Sequence, residues 1–392
     1  MKIELKSVKI GRVQKYFLAL FFILLLLIFP NSIFAADSTN IPNNKFGIHI
    51  LFPTELEDAA KLVNSSGGDW GYVTIPIQSN DKDLNKWQKF MDDAKRLHLI
   101  PIIRLATNGD YYNAKVWEKP NDENIVDFAN FLNSLNWPVK NRYIVVYNEV
   151  NRGNEWGGSP NPGEYAQILQ YAVTSFKGRS SDFFILSAGM DNAAANTSDA
   201  MNEYDFMRQM DIAVPGVFNQ IDGIASHSYP NPGFSQPPTI VSDRSIYSFK
   251  SEDELAESLS NKTLPVFITE TGWSAAVLPD SVIAPYYKIA FESVWSDPNI
   301  MAVTPFLLIA GTDPFKQFSI MDTAGGEFLR YKTIFDYPKV KGLPILNEVK
   351  NVLGYQIPKI VIPVKNFSGI GQNESSFNKE AMQTIYSWLL KL

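Results

Sequence analysis

Eight short apolar runs, each followed by a stretch of helical periodicity, constrain the fold of this chain more than any other feature. The runs span Phe46–Leu51, Trp70–Ile77, Ile100–Ala106, Tyr143–Glu149, Phe183–Met190, Ile221–Tyr229, Pro265–Glu270 and Ala302–Ala310. The helical patterns that follow them span Glu55–Val63, Leu84–Leu97, Glu123–Leu135, Tyr165–Phe176, Ala200–Met210, Asp253–Leu259, Ala284–Trp295 and Phe328–Phe335. This alternation predicts an α/β fold, a (β/α)8 TIM barrel that forms a single domain over residues 44–345. The alternative is an open sheet, if one weak strand has been miscounted.

Residues 1–36 predict a secretory signal or a membrane anchor. Five basic residues precede the apolar run Phe17–Phe29, and small residues follow it at 35–36. That run is shorter than the ~20 residues of a spanning helix, which favours cleavage after Ala35. The alternative is an uncleaved anchor that associates with the membrane through residues 17–30. In both cases we expect the chain to act outside the cytoplasm. Residues 346–392 form a predicted extension with no assigned role.

Composition and missing motifs exclude several classes of function. The chain has no Cys, a net charge of −6 and no Lys/Arg run after the leader, which argues against disulfides and a nucleic-acid partner. It has only three His residues, no His-Glu-x-x-His and no Gly-x-Ser-x-Gly, and neither a Walker-type nor a dinucleotide-binding motif. We therefore expect no metal and no cofactor, and carboxylate chemistry remains as the candidate type of catalysis. We also expect the protein to be a monomer.

Two of the predicted strands end in a carboxylate. Glu149 closes the fourth run and Glu270 closes the seventh. A buried strand has no structural use for an unpaired carboxylate at its end, because the charge must be desolvated or partnered. The C-terminal ends of the strands of a parallel barrel meet at one rim. The sequence therefore predicts a two-carboxylate site there, with Arg104 close enough to Glu270 to keep it ionised.

The local sequence around these carboxylates resembles that of the clan A retaining glycoside hydrolases, a group that includes cellulases and β-xylosidases. It is most similar to the β-1,3-glucanase branch of that group. The resemblance rests on Asn148-Glu149-Val150, on Thr269-Glu270-Thr271-Gly272-Trp273, and on His227-Ser228-Tyr229. It implies that Glu149 is the general acid/base and Glu270 the nucleophile. It also implies that Asn148 binds the sugar 2-hydroxyl and that Tyr229 orients Glu270. The expected partner is an oligo- or polysaccharide.

Further residues are candidates for substrate binding, each with a structural alternative. Four of these candidates lie near predicted strand ends: His49, Arg104, His227 and Tyr229. Each is expected to bind substrate, the alternative being that it only braces neighbouring groups. Trp156, in a Gly-rich loop, is expected to stack on a sugar ring, the alternative being a packing residue, and Trp273 has the same two interpretations. Clan members usually carry a Trp at the end of strand eight, and Ala302–Ala310 has none. The rival function is a non-catalytic glycan-binding barrel at the cell surface.

Overall fold

The computed structural model of the protein describes residues 42–347. The leader predicted for residues 1–36 and nearly all of the extension predicted for residues 346–392 lie outside them. The strands β1 to β8 span Gly47–His49, Gly71–Gln78, Leu99–Ala106, Arg142–Val145, Phe183–Leu186, Ile224–Ser226, Val266–Ile268 and Ile300–Val303. The helices that follow them, α1 to α8, span Leu56–Val63, Leu84–Arg96, Asp122–Ser134, Pro162–Lys177, Glu203–Ala213, Ser248–Ser260, Asp280–Ile289 and Leu329–Asp336. None of the helices within residues 42–347 is both long and apolar enough to cross a bilayer.

The strands close into a barrel in chain order. β1 to β5 pair as parallel neighbours, and β6 to β8 do the same. A parallel bridge between Leu186 and Gly223 joins the two groups, and another between Phe46 and Val303 joins the first strand to the last. Because both gaps are bridged, the predicted (β/α)8 barrel is confirmed for the described residues, and the open-sheet alternative is wrong.

Several strands end earlier at the rim side than the apolar pattern predicts. β4 ends at Val145 although the apolar run continues to Glu149. The cause is the backbone: Tyr147 has a φ of 70° and Glu149 a φ of 35°, values that an extended strand cannot contain. β7 likewise ends at Ile268, two residues before Glu270. The rim is therefore built from irregular backbone, where side chains do not alternate between two faces as they do in a strand.

The barrel interior below the rim is filled with aromatic and aliphatic side chains. The ring of Tyr143 lies 5.1 Å from those of both Phe184 and Phe267. Ile102 and Met301 complete this layer, and all five side chains are buried. Because the interior is packed, nothing passes through the barrel, and a ligand has access only at its rim.

Two buried carboxyl groups lie behind β6, outside the barrel mouth. Glu203 begins α5 and Glu252 lies in α6, and both line a cavity of about 10 Å³. Glu252 accepts hydrogen bonds from Ser226 at 3.0 Å and Ser248 at 2.9 Å. Burial raises the pKa of Glu252 to about 7, and burial followed by the charge of Glu252 raises the pKa of Glu203 well above its usual range. The pair therefore keeps a proton that the unfolded chain has already released.

This pair is expected to make the barrel less stable as the pH rises. Between about pH 4.5 and 7 the folded state binds more protons than the unfolded state, so the free energy of unfolding falls with pH. Glu203→Gln, which stays neutral, should match the wild type near pH 5 and exceed it by about 1–3 kcal/mol near pH 8. Urea unfolding at both pH values measures this difference. An equal pH slope in the two proteins would show that Glu203 is not the source.

Candidate active site

The two predicted carboxylates lie side by side at the C-terminal rim. Glu149 follows β4 and Glu270 follows β7. Three atoms lie within 4.8 Å of one another: one carboxylate oxygen of Glu149, one of Glu270 and a ring nitrogen of His227. The N–H of Glu149 donates to the carbonyl of Gly189 at 2.9 Å, which fixes the backbone of this loop against the next strand. Two carboxylates this close can act on opposite sides of a single bond, without room for a water molecule between them and the substrate.

Glu270 is held as a carboxylate by its neighbours. A guanidinium nitrogen of Arg104 donates to Oε1, and the hydroxyl of Tyr229 donates to Oε2 at 3.0 Å. Arg104 reaches this position because Ile102 and Arg104 share the inward face of β3. Burial opposes ionisation, but the charges of His227 and then Arg104 outweigh it and lower the pKa of Glu270 to about 2. Glu270 is therefore ionised under all ordinary conditions.

Glu149 has a different environment, with greater access to the cavity. Its side chain is 16% exposed, against 8% for Glu270. Nδ1 of His227 lies 3.1 Å from Oε1 of Glu149 and 3.8 Å from Oε2 of Glu270, so this ring bridges the two carboxylates. Burial lowers the pKa of His227, but Glu270 and the hydrogen bond to Glu149 outweigh burial and raise it. Arg152 approaches the other oxygen of Glu149 at 3.8 Å. Glu149 is thus the more accessible of the two carboxyl groups from the cavity.

His49 lies beside Glu270 without forming an ion pair. Its Nε2 is 3.6 Å from Oε1 of Glu270, and its ring packs 5.0 Å from that of Phe306. Burial and then the charge of Arg104 lower the pKa of His49 to about 3, so the imidazole is neutral at this distance. A neutral, fully buried ring supports Glu270 from below and leaves the cavity surface to other groups.

A third carboxyl group, that of Glu155, lies at the site and was not predicted from the sequence. It lies in the loop after β4, lines the same cavity as Glu149 and Glu270, and is hydrogen-bonded to Asn148. Asn148 also accepts a hydrogen bond from Arg104 at 2.6 Å, which links Glu155 to Glu270 through two side chains. Burial and then the charge of Glu149 raise the pKa of Glu155 to about 7. Its signal in the sequence is a carboxylate next to Trp156 in the Gly-rich loop after the fourth apolar run.

The carboxylates open into a cavity of about 460 Å³, the size of a small-ligand site. Its aromatic lining comes from four loops and from the end of β8: Tyr111, Tyr112, Trp117, Tyr147, Tyr229, Phe234, Phe306, Phe315 and Phe318. Phe306 follows β8, within the run Ala302–Ala310 that contains no Trp, and it is 6% exposed. Trp117, from the loop after β3, is the tryptophan in this lining. Stacking surface is therefore available without the missing residue.

The two tryptophans proposed for sugar binding are buried, and this part of the prediction is wrong. Trp156 and Trp273 are each 1% exposed, and neither lines the cavity. Trp156 packs 5.6 Å from the ring of Tyr165, beneath its loop. Trp273 packs 5.1 Å from Tyr287, with its indole N–H donating to the carbonyl of Gln236 at 2.8 Å. Both rings hold rim loops onto the helix layer, which was the structural alternative.

Trp156→Ala is accordingly expected to reduce stability instead of affinity. Removing a fully buried indole should cost about 3–5 kcal/mol in the free energy of unfolding. Trp117→Ala is the matched control, because it removes a tryptophan that lines the cavity. It should leave unfolding nearly unchanged and weaken oligosaccharide binding. Chemical denaturation and calorimetric titration of both variants make the comparison. A stable Trp156→Ala protein with weakened binding would restore the stacking role.

Glu149, His227 and Glu270 are also a group of potential metal ligands within residues 42–347. Both oxygens of Glu270 already accept hydrogen bonds, one of them from the guanidinium of Arg104. A fixed positive charge in contact with a ligand atom opposes the binding of a cation. The arrangement thus suits carboxylate chemistry better than metal chemistry, and the expectation that the chain needs no cofactor stays a prediction.

Comparison with known proteins supports the fold and not a particular activity. Neither a protein-family model nor a curated protein matches the chain. Among solved structures, a family 39 glycoside hydrolase from Bacteroides cellulosilyticus WH2 is 15% identical with a TM-score of 0.53, and the match covers 78% of this chain and 65% of that enzyme. A monomeric β-xylosidase from Caulobacter crescentus CB15 is 12% identical with a TM-score of 0.51, covering 75% and 68%.

A glucosidase from Croceicoccus marinus is 10% identical with a TM-score of 0.54, covering 76% of this chain and 67% of that one. All three identities are too low to transfer an activity, but the shared architecture extends across the barrel. The described chain therefore has the (β/α)8 fold of the clan A glycoside hydrolases, and the resemblance inferred from its motifs is confirmed at the level of the fold.

Proposed function

We propose that this protein is a retaining glycoside hydrolase that cleaves a β-linked glycan, with Glu149 as general acid/base and Glu270 as nucleophile. The observation that carries the proposal is the pair of carboxylates within 4.8 Å of each other in a 460 Å³ cavity. Retaining enzymes need carboxyl groups about 5–5.5 Å apart, whereas inverting enzymes need about 6.5–9.5 Å. The different surroundings of the two groups support their different roles.

In the first step Glu270 attacks the anomeric carbon from the face opposite the leaving group. Arg104 and Tyr229 direct its two oxygens, and the charges of His227 and Arg104 outweigh burial and lower its pKa, so it stays ionised. The bond to the leaving oxygen breaks as Glu149 gives that oxygen its proton. The products of the step are a covalent glycosyl-Glu270 ester, a free alcohol and an ionised Glu149.

In the second step water enters where the alcohol has left. Glu149 takes a proton from the water, whose oxygen bonds to the anomeric carbon and displaces the carboxylate of Glu270. Two inversions restore the original configuration. His227 contacts both carboxylates, so it stabilises Glu149 when it is ionised and Glu270 when it is released. Asn148, held by Arg104, is suited to bind a sugar hydroxyl.

We further propose that the protein acts outside the cytoplasm as a monomer. Support for export comes from the leader-like residues 1–36, with their basic start and the apolar run Phe17–Phe29. The β-xylosidase described above is a monomer. Sequencing the N-terminus of protein from its native envelope tests export: a start near residue 36 indicates cleavage, and Met1 would indicate an anchor.

A non-catalytic glycan-binding barrel is the second candidate, favoured by Phe306 in place of the usual strand-eight Trp. A panel of chromogenic aryl β-glycosides separates the two functions, with Glu270→Gln as the inactive control. Release of the chromophore by the wild type and not by the control supports hydrolysis. Measurable affinity for the same sugars without any release would overturn it.

A further inference from the structure

A second cavity opens on the same rim, beside the active site. It has a volume of about 370 Å³, and we call it the side cleft. Its lining comes from the end of β2, the start of α2 and the loops after β1 and β3, and it includes Phe52, Gln78, Lys86 and Tyr111. Leu51, Tyr111 and Tyr112 line the active-site cavity as well. The side cleft thus adjoins the cavity of the two carboxylates and shares these three residues with it.

A row of aromatic rings runs from the side cleft into the active site. The ring of Phe52 lies 6.3 Å from that of Tyr111, which lies 5.9 Å from that of Trp117. Phe52 is 46% exposed, so about half of this large apolar side chain faces solvent and not the core. An exposed aromatic row that ends at a proposed sugar site offers flat apolar faces, against which sugar rings stack.

The side cleft also provides polar groups at its edge. Lys86 pairs with Asp81 at 2.5 Å and remains 41% exposed, so part of its side chain is available. Gln78, which donates to the carbonyl of Gly109 at 2.6 Å, lines the cleft as well. An apolar floor with a few hydrogen-bonding groups around it matches the two faces of a pyranose, one of C–H groups and one of hydroxyls.

We propose that the side cleft binds further sugar units of the same glycan whose linkage the two carboxylates cleave. The preferred substrate is then a chain of at least three units, whereas a disaccharide or an aryl glycoside occupies the active-site cavity alone. The inference rests on the proposed function for the identity of the ligand, but its binding test does not require turnover. Phe52 and Tyr111 form the stacking surface for these outer units.

The test measures affinity against chain length by calorimetry, using the full chain with Glu270→Gln to prevent hydrolysis. The probes are β-1,3- and β-1,4-linked gluco-oligosaccharides and β-1,4-linked xylo-oligosaccharides of two to six units. For the series that binds, we expect affinity to rise roughly 10-fold between the disaccharide and the tetrasaccharide. Adding Phe52→Ala should remove this rise and leave the disaccharide unaffected. Phe335→Ala, which removes an exposed phenylalanine on α8, is the matched control and should change neither.

The proposal is overturned if affinity is the same at every length, if Phe52→Ala weakens all lengths equally, or if no series binds. A protein-binding role for Phe52 would give the first of these results. Failure of the proposed function is distinguishable, because it appears as an absence of aryl glycoside hydrolysis by the wild type. Length-dependent binding that Phe52→Ala abolishes would still support the side cleft in that case.

Discussion

Replacing Glu270 with glycine is expected to lower hydrolysis of every aryl β-glycoside by roughly 10⁴-fold or more. The carboxylate forms the covalent bond in the first step, so a better leaving group cannot compensate for its loss. Arg104 and Tyr229 would remain, but a guanidinium is not a nucleophile, and burial raises the pKa of Tyr229 well above its usual range, so its hydroxyl stays protonated. The wild-type rate with the same glycosides is the reference, and circular dichroism checks that the variant is folded.

Azide distinguishes a lost nucleophile from a damaged site. In Glu270→Gly the small anion fits the space left by the side chain and attacks from that face, while Glu149 still protonates the leaving group. The product should be an α-glycosyl azide, identified by the coupling constant of its anomeric proton. A β-azide would mean that the two carboxylates have exchanged roles, and no azide product would leave Glu270 without support as the nucleophile.

Glu149→Ala is expected to produce a different defect. Glycosides whose leaving group needs protonation should lose roughly 10²–10⁴-fold in rate, the usual contribution of a general acid. Dinitrophenyl glycosides should still glycosylate Glu270, because their leaving group departs as an anion. Turnover then stalls at the intermediate, since no base activates water.

Azide should relieve that stall and give a β-glycosyl azide, because it attacks the intermediate from the face that Glu149 has vacated. Burst kinetics with a dinitrophenyl glycoside measure the stall, and product analysis gives the anomer. An equal rate loss for good and poor leaving groups would contradict the role of Glu149 as the acid. The two variants together assign each carboxylate by its stereochemical product and not by rate alone.

The barrel was predictable because strands that are buried on both faces have a recognisable sequence pattern. Runs such as Tyr143–Glu149 are apolar throughout, and the helices between them carry a period of 3.6 residues. Their rim-side ends were not predictable, because apolar Val146 continues the pattern while the φ of 70° at Tyr147 ends the ladder. That backbone turn is set by contacts with β5 and the loop beyond it, which a local pattern cannot contain.

The positions of Glu149, Glu270, Arg104 and His227 followed from the sequence because strand ends converge in any parallel barrel. Their roles remain predictions. Trp156 and Glu155, adjacent in one loop, show what the sequence pattern does not determine. The loop turns the indole inward and the carboxyl toward the cavity. Which of two neighbours faces a site depends on the loop conformation, and neither composition nor spacing determines it.

The central claim is that Glu270 becomes covalently bonded to the sugar, and trapping that bond tests it most directly. A 2-deoxy-2-fluoro version of the best aryl β-glycoside slows both steps, because fluorine destabilises the oxocarbenium-like transition state. A dinitrophenyl leaving group keeps the first step fast enough for the intermediate to accumulate. Peptide mapping by mass spectrometry should then find one fluoroglycosyl group, attached to Glu270. Attachment to Glu149 or to any other residue would contradict the mechanism.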